Sequence, residues 1–272
     1  MTPALAVFWL LLSVGSSSPE EPDGRILVFT RTTGFRHDSI PDGVAAIRRI
    51  AGESGMTVDA TEDPGAFTDA NLARYRLVVF LLTTGDVLDA GEQAALERRL
   101  RTGGGWVGVH SASDTEYDWP FYGQLVGAYF AGHPAVQPAV VHVEDRAHPA
   151  TAALPPVWQR TDEWYDFRFN PRSTVHVLAT LDETTYGGGS MGADHPIAWC
   201  RELGPVPTVR AFYTAGGHTR ESYSEPLFVA HLAGGIRWAA ELEPGYCGPN
   251  SRGAPLRVAP RRPALRVVTP RP

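Results

Sequence analysis

Apolar residues fall into short continuous runs separated by polar loops and charged amphipathic stretches. RILVFT (Arg25 to Thr30) and LVVFLL (Leu77 to Leu82) are unbroken apolar runs, as expected of strands buried on both faces. MTVDA (Met56 to Ala60) and WVGVH (Trp106 to His110) read as two further strands. Between them lie two helical patterns. Pro41 stands where a first turn would begin, Val44, Ile47, Arg48 and Ala51 follow at helical spacing, and Gly55 stops the run. Ala90 to Arg101 (AGEQAALERRLR) is a charged amphipathic helix closed by Gly103-Gly104-Gly105. Strand alternating with helix predicts a parallel sheet covered on both faces, with right-handed crossovers.

The second half is more mixed. Strands are expected over Val140 to Val143, Val175 to Leu181, Ile197 to Glu202 and Val209 to Tyr213, and a last helix over Pro226 to Ala240. Ala4 to Val14 (ALAVFWLLLSV) is too short to span a bilayer and resembles a signal-peptide core followed by small residues, although no basic residue precedes it. The expected organisation is a leader and linker over 1–23, one domain over 24–248, and an Arg- and Pro-rich tail over 249–272 without fixed structure. Export to the cell envelope or medium is expected, with a misassigned start and a cytoplasmic protein as the alternative. In the mature form no membrane partner is expected.

The chain of 272 residues is 43% hydrophobic and 20% charged, ordinary for a globular protein with a sizeable core. A net charge of -6 disfavours nucleic acid as a partner, since phosphate binding needs clustered basic groups. The two cysteines are Cys200 and Cys247. Export would permit a disulfide, but Cys200 lies in HPIAWC, a buried-strand pattern in which a free thiol is common, so free thiols are the leading reading and a Cys200–Cys247 bond the alternative.

In an open α/β sheet, ligands bind beyond the carboxyl ends of the strands. Three loops in that position each deliver a histidine near a carboxylate. They are Arg36-His37-Asp38, His110-Ser111 with Asp114, and His218 with Glu221 in TAGGHTRES. If the sheet is parallel, all three point to one edge. One loop histidine alone is usually a surface or capping group, and His142, His148 and His176 are read that way, while His231 is placed on a helix face. TDEWYDFR supplies Glu163, Trp164 and Tyr165, carboxylate beside aromatics, a usual floor for a sugar. GADHPIAW adds His195, and AGHP places His133 before Pro134. Imidazoles from separate loops suit a divalent ion such as Zn or Mn, with His110 and His218 as ligands. General acid–base chemistry by the same histidines needs no ion.

Long segments resemble the ThuA-like (trehalose-utilisation) family: GFRHDSIPDG, GGGWVGVHSASDTEYDWPFYGQLVGAYFAGHP, TDEWYDFRFNPR, MGADHPIAWC and FYTAGGHTRESY, in that order. The resemblance implies a flavodoxin-like, doubly wound, mostly parallel α/β sheet of the class I glutamine amidotransferase type. His110 stands where true amidotransferases carry their nucleophilic cysteine, so a glutaminase is not expected. The family's link to disaccharide use implies a sugar as the small-molecule partner, a 3-keto-glycoside among the candidates.

The leading expectation is a sugar-processing lyase, hydrolase or isomerase. His110 is base or metal ligand, Asp114 orients it, and His37 and His218 complete the catalytic set. Arg36, Ser111, Glu163, Trp164, Tyr165, His195 and Glu221 bind substrate. Two-carboxylate glycoside hydrolysis through Glu163 is a second reading. A non-catalytic sugar-binding or sensing protein is a third. A homo-oligomer is compatible with all of them.

Overall fold

The computed structural model describes residues 24–204 and 209–248. The expected leader, Ala4 to Val14, and the tail from 249 lie outside the described residues. In chain order the elements are β1 (Arg25–Phe29), α1 (Ile40–Glu53), β2 (Thr57–Thr61), α2 (Asp69–Leu72), β3 (Leu77–Leu81), α3 (Ala90–Arg101), β4 (Gly104–Val109), α4 (Pro120–Val126), β5 (Phe130–Gly132), β6 (Gln137–Val143), β7 (Val157–Asp162), β8 (Asp166–Phe167), β9 (His176–Asp182), β10 (His195–Leu203), β11 (Val209–Thr214) and α5 (Pro226–Ala239). No helix among the described residues is long and apolar enough to cross a membrane.

Nine strands form one sheet in the order β2-β1-β3-β4-β11-β10-β9-β6-β7. The first five are mutually parallel, and β10, β9, β6 and β7 continue antiparallel. Helices α1 and α5 cover one face; α3 and α4 cover the other. The α3 start carries a complete capping box, with Asp89 and Glu92 satisfying each other's backbone amides. At Gly105 a Cβ would lie 2.1 Å from the Ala239 carbonyl oxygen, so α5 can seat on β4 only over glycine.

Five elements escape the apolar pattern: α2, α4, the paired β5 and β8, and β7. Strand β7 shows why. Its outward residues include Val157, half exposed, and its inward ones include Arg160 and Asp162, buried as an ion pair 3.0 Å apart. Two of its three inward positions are therefore charged, which breaks the hydrophobic alternation along the strand.

Strand β7 also curls back. It is four strand spacings from β11, about 19 Å across a flat sheet. Yet Asp162 Oδ2 accepts a hydrogen bond from the Gly217 amide just beyond β11 at 2.7 Å. The antiparallel half of the sheet therefore rolls over and brings the end of β7 to the carboxyl edge of β4 and β11.

Cys200 is fully buried as expected, but it is not free: it is bonded to Cys247. The choice between free thiols and a bond is decided for the bond by the chain following α5. That segment folds back under the sheet, where Gly245 O accepts from Trp238 Nε1 at 3.2 Å and Gly248 O faces His176 Nδ1 at 2.9 Å.

Candidate functional site

Strand β4 ends at Val109, and the next residue, His110, has φ 53°, in the left-handed region. A non-glycine residue there costs about 1–2 kcal/mol. The sharp turn aims a fully buried imidazole across the carboxyl edge of the sheet. The parallel register pairs Val109 with Thr214, which sets Ala215 beside His110. The Ala215 carbonyl lies 2.7 Å from His110 Nδ1. A carbonyl only accepts, so Nδ1 carries the proton and Nε2 faces the site with its lone pair.

Three other side chains meet that nitrogen or its neighbours. His218 Nδ1 is 3.2 Å from His110 Nε2 and 3.0 Å from Glu163 Oε2, and Glu163 Oε2 is 3.4 Å from His110 Nε2. His37 completes the group, its ring 4.9 Å from that of His110 and 5.1 Å from that of His218. Ligand atoms of His37, His110, Glu163 and His218 all lie within 4.8 Å of one another, so these four could hold a metal ion.

The charges follow from this packing. Burial, then the neighbouring His110 and His218, push His37 down to about 3, so it is neutral at pH 7 with a lone pair to offer. Burial alone would raise Glu163, but the imidazoles of His218 and His110 packed against it hold it well below the usual carboxylate range. Burial opposes charge on His218 too, yet the bond to Glu163 outweighs it and raises His218.

The turn carrying His218 is fixed by Asp162. This wholly buried carboxylate accepts from the amides of Gly217 (2.7 Å), His218 (3.1 Å) and Glu163 (3.0 Å), and pairs with Arg160 at 3.0 Å. Gly217 has φ 109°, and a Cβ there would meet Tyr223 Oη at 2.8 Å. Ser39, at the start of α1, donates to the His218 carbonyl at 2.7 Å. Its side chain caps no α1 amide; it locks the β11 loop.

Of the expected site residues, His37, His110, His218 and Glu163 are brought together, and Ser111 Oγ lies 3.5 Å from His37 Nδ1. The rest are placed otherwise. Asp114 does not orient His110; it accepts from Tyr117 Oη at 2.5 Å, and the Ala215 carbonyl does the orienting. Arg36 is spent on Glu62 at the surface. Trp164 is no sugar floor: it is fully buried and donates to the Gln137 carbonyl. Tyr165 is also buried, its ring 4.0 Å from that of His110. Glu221 is exposed on the turn before α5.

His195 belongs with Asp166 and Glu183, a second group with metal-ligand spacing. There Nε2 faces the Tyr165 carbonyl and Nδ1 faces Glu183 Oε1, both at 2.8 Å, so both ring nitrogens are engaged. The group braces the Tyr165 backbone, and through it the ring against His110.

His133 and Asp162 play parts that strand-end reasoning missed. His133 Nδ1 approaches the other oxygen of Glu163, Oε1, at 3.1 Å, and its ring is partly exposed. It follows the short β5, whose three residues give no periodic signal. A cavity of about 240 Å³ opens over His37 and His218, bordered by Phe35, Asp38, Val136 and Arg220. The Phe35 ring is 66% exposed and packs edge-on to His37.

The model of the family described as "ThuA: Trehalose utilisation" matches residues 25–239. The chain belongs to the ThuA family. Two solved ThuA-like proteins are similar to it. One, from Bacteroides uniformis, is 22% identical with a TM-score of 0.67, covering 83% of this chain and 94% of that one. The other, from Parabacteroides merdae, is 22% identical with a TM-score of 0.65, covering 79% and 89%. At that identity they establish the shared fold, of the class I glutamine amidotransferase type. No curated protein sequence matches the chain. ThuA membership carries a role in sugar utilisation. In this ThuA protein the turn after β4 presents the His110 imidazole at the carboxyl edge of the sheet.

Proposed function

We propose that this ThuA protein is a sugar-processing enzyme whose centre is a divalent cation, Zn or Mn, held by His37, His110, His218 and Glu163. The observation that carries this reading is the convergence of three imidazoles and one carboxylate from four separate loops. The donors fit a borderline cation: nitrogen ligands with one hard oxygen. His110 is tautomerically fixed by Ala215, the backbone support common to metal-ligating histidines.

A bound cation would supply Lewis acidity toward a sugar carbonyl or hydroxyl oxygen. The chain's residues supply the rest. Phe35 offers an apolar face for a pyranose ring at the cavity mouth. The cavity is below the roughly 300 Å³ at which drug-sized pockets begin, which suits a single ring at the centre. His133, outside the ligand set and partly exposed, is the imidazole left to move a proton beside Glu163. On a 3-keto-glycoside, removal of the C2 proton, made acidic by the ketone, expels the C1 oxygen. Protonation of that oxygen releases the alcohol, and water adding across the C1=C2 bond, its oxygen at C1 and a proton at C2, completes hydrolysis. Two-carboxylate glycoside hydrolysis draws no support from a cluster with one carboxylate among three imidazoles. The disulfide supports export, since such bonds persist in oxidising compartments.

The test is metal analysis of the chain purified without chelators, beside His110→Ala and His218→Ala, with turnover of 3-keto-glycosides. One equivalent of Zn or Mn, lost in both variants together with turnover, is expected. A metal-free wild type that still turns over would leave histidine acid–base chemistry. Sugar binding without turnover, unchanged in His110→Ala, would make the protein a binder.

A further inference from the structure

A second cavity, of about 580 Å³, lies beside α4 and is bordered by Arg201 near the end of β10. Its lining is aromatic and polar: Tyr117, Tyr129 and Phe169 supply rings, Thr174 a hydroxyl, and Arg201 a cation. Phe169 is 52% exposed, so its ring is open to contact with a ligand.

Arg201 is the anomaly. Its Nε is buried without a hydrogen-bond partner, and no ion pair to it occurs among the described residues. Burial pulls its pKa down and no carboxylate offsets the effect. Arg99 shows how this chain treats a similar guanidinium: also buried without a carboxylate, it donates to the carbonyls of Leu72 (3.1 Å), Tyr75 (2.5 Å) and Gly103. Arg201 as a whole is half-buried, so its charge is partly desolvated, and with no carboxylate paired to it the outer part of the guanidinium is available to an anion in the cavity. A guanidinium offers a planar fork that matches a carboxylate in two hydrogen bonds.

We propose that this cavity binds a small ring compound bearing one carboxylate, which pairs with Arg201 while its ring lies against Phe169 and the tyrosines. Uronic acids and aromatic acids share that chemistry. Asp118 on the rim favours the uronic acid, because it can accept from sugar hydroxyls and would repel a doubly charged phosphate. The site is separate from the histidine cluster and does not depend on the activity proposed there.

Binding of D-glucuronate and of benzoate to the full chain, followed by calorimetry, tests this, with D-glucose and inorganic phosphate as comparisons. Saturable one-to-one binding of at least one acid is expected, unchanged in His110→Ala and weakened about tenfold or more in Arg201→Gln. Glucose and phosphate should bind far more weakly. Phe169→Ala, at an exposed ring that does not hold the fold, should weaken binding by about threefold or more. Arg201→Gln should melt at or above the wild-type temperature, since it removes an uncompensated charge. The proposal is overturned by absence of saturation with both acids, by equal affinity in Arg201→Gln and Phe169→Ala, or by loss of binding in His110→Ala.

Discussion

Replacing Asp162 with asparagine keeps the side-chain shape and removes the charge. The carboxylate receives three backbone amides, the Arg160 guanidinium at 3.0 Å and, at 3.4 Å, the Ser222 hydroxyl. Whichever way the new amide turns, its NH2 faces donors. On the Oδ2 side these are Gly217 N–H and Arg160; on the Oδ1 side, His218 N–H and Glu163 N–H. Two buried donors left unmet cost about 1–3 kcal/mol each. Arg160 keeps Glu225 at 3.1 Å, so its charge is only partly stranded. The sum falls at about 3–5 kcal/mol, the usual penalty for breaking a buried pair. For a domain of this size that is a fall in Tm of about 6–20 °C. Thermal melts and urea unfolding at pH 7 measure it. Arg160→Met combined with Asp162→Asn should cost less than the sum of the two single changes, because no guanidinium is then stranded. Cation uptake should weaken in Asp162→Asn, since the His218 backbone loses its anchor. A loss of stability under about 1 kcal/mol would refute the claim that Asp162 shapes the site.

Other expectations concern pH, backbone and cross-link. His37, His148 and His231 are buried and pushed down to about 3, 3 and 4, burial being the largest cause in each. The unfolded chain takes up their protons near pH 6.5 while the native chain does not, so stability should fall as pH drops from about 6.5 toward 3. His218 acts with the opposite sign: raised by Glu163, its contribution is full below about pH 6.5 and is lost as pH climbs through its native value. A urea midpoint that stays flat between about pH 6.5 and 4 would contradict the three neutral histidines. Gly217→Ala should destabilise by about 1–3 kcal/mol and weaken cation binding, as read by melting and metal titration, because φ 109° and the approach of Tyr223 exclude a side chain. Cys247→Ser should lower stability by up to about 4 kcal/mol, from loop entropy over a separation of 47 residues; reductant should reproduce the drop in wild type, and an unchanged melt would show the cross-link to be idle.

The apolar runs at Arg25–Phe29, Leu77–Leu81 and Gly104–Val109, and the amphipathic Ala90–Arg101, were legible because period and burial agree there. So were His37, His110 and His218: each lies in the loop that follows a strand of the parallel half, and parallel strands share one carboxyl edge. Residue order along the chain therefore determined that three imidazoles would gather. What they gather around was decided by tertiary structure. Glu163 reaches them only because the antiparallel half rolls over, a curvature set by packing between residues far apart in sequence. The same is true of Asp162, which reads as one of several acids in TDEWYDFR until the fold hands it three amides and an arginine. Asp114 and Trp164 fail in the opposite direction: their types suit the chemistry, but a tyrosine hydroxyl and the core claim them. The Cys200–Cys247 bond also needed the chain after α5 to return beneath the sheet. Sequence specifies local period and the order of strands; the identity of a side chain's partner depends on distances that only the closed fold sets.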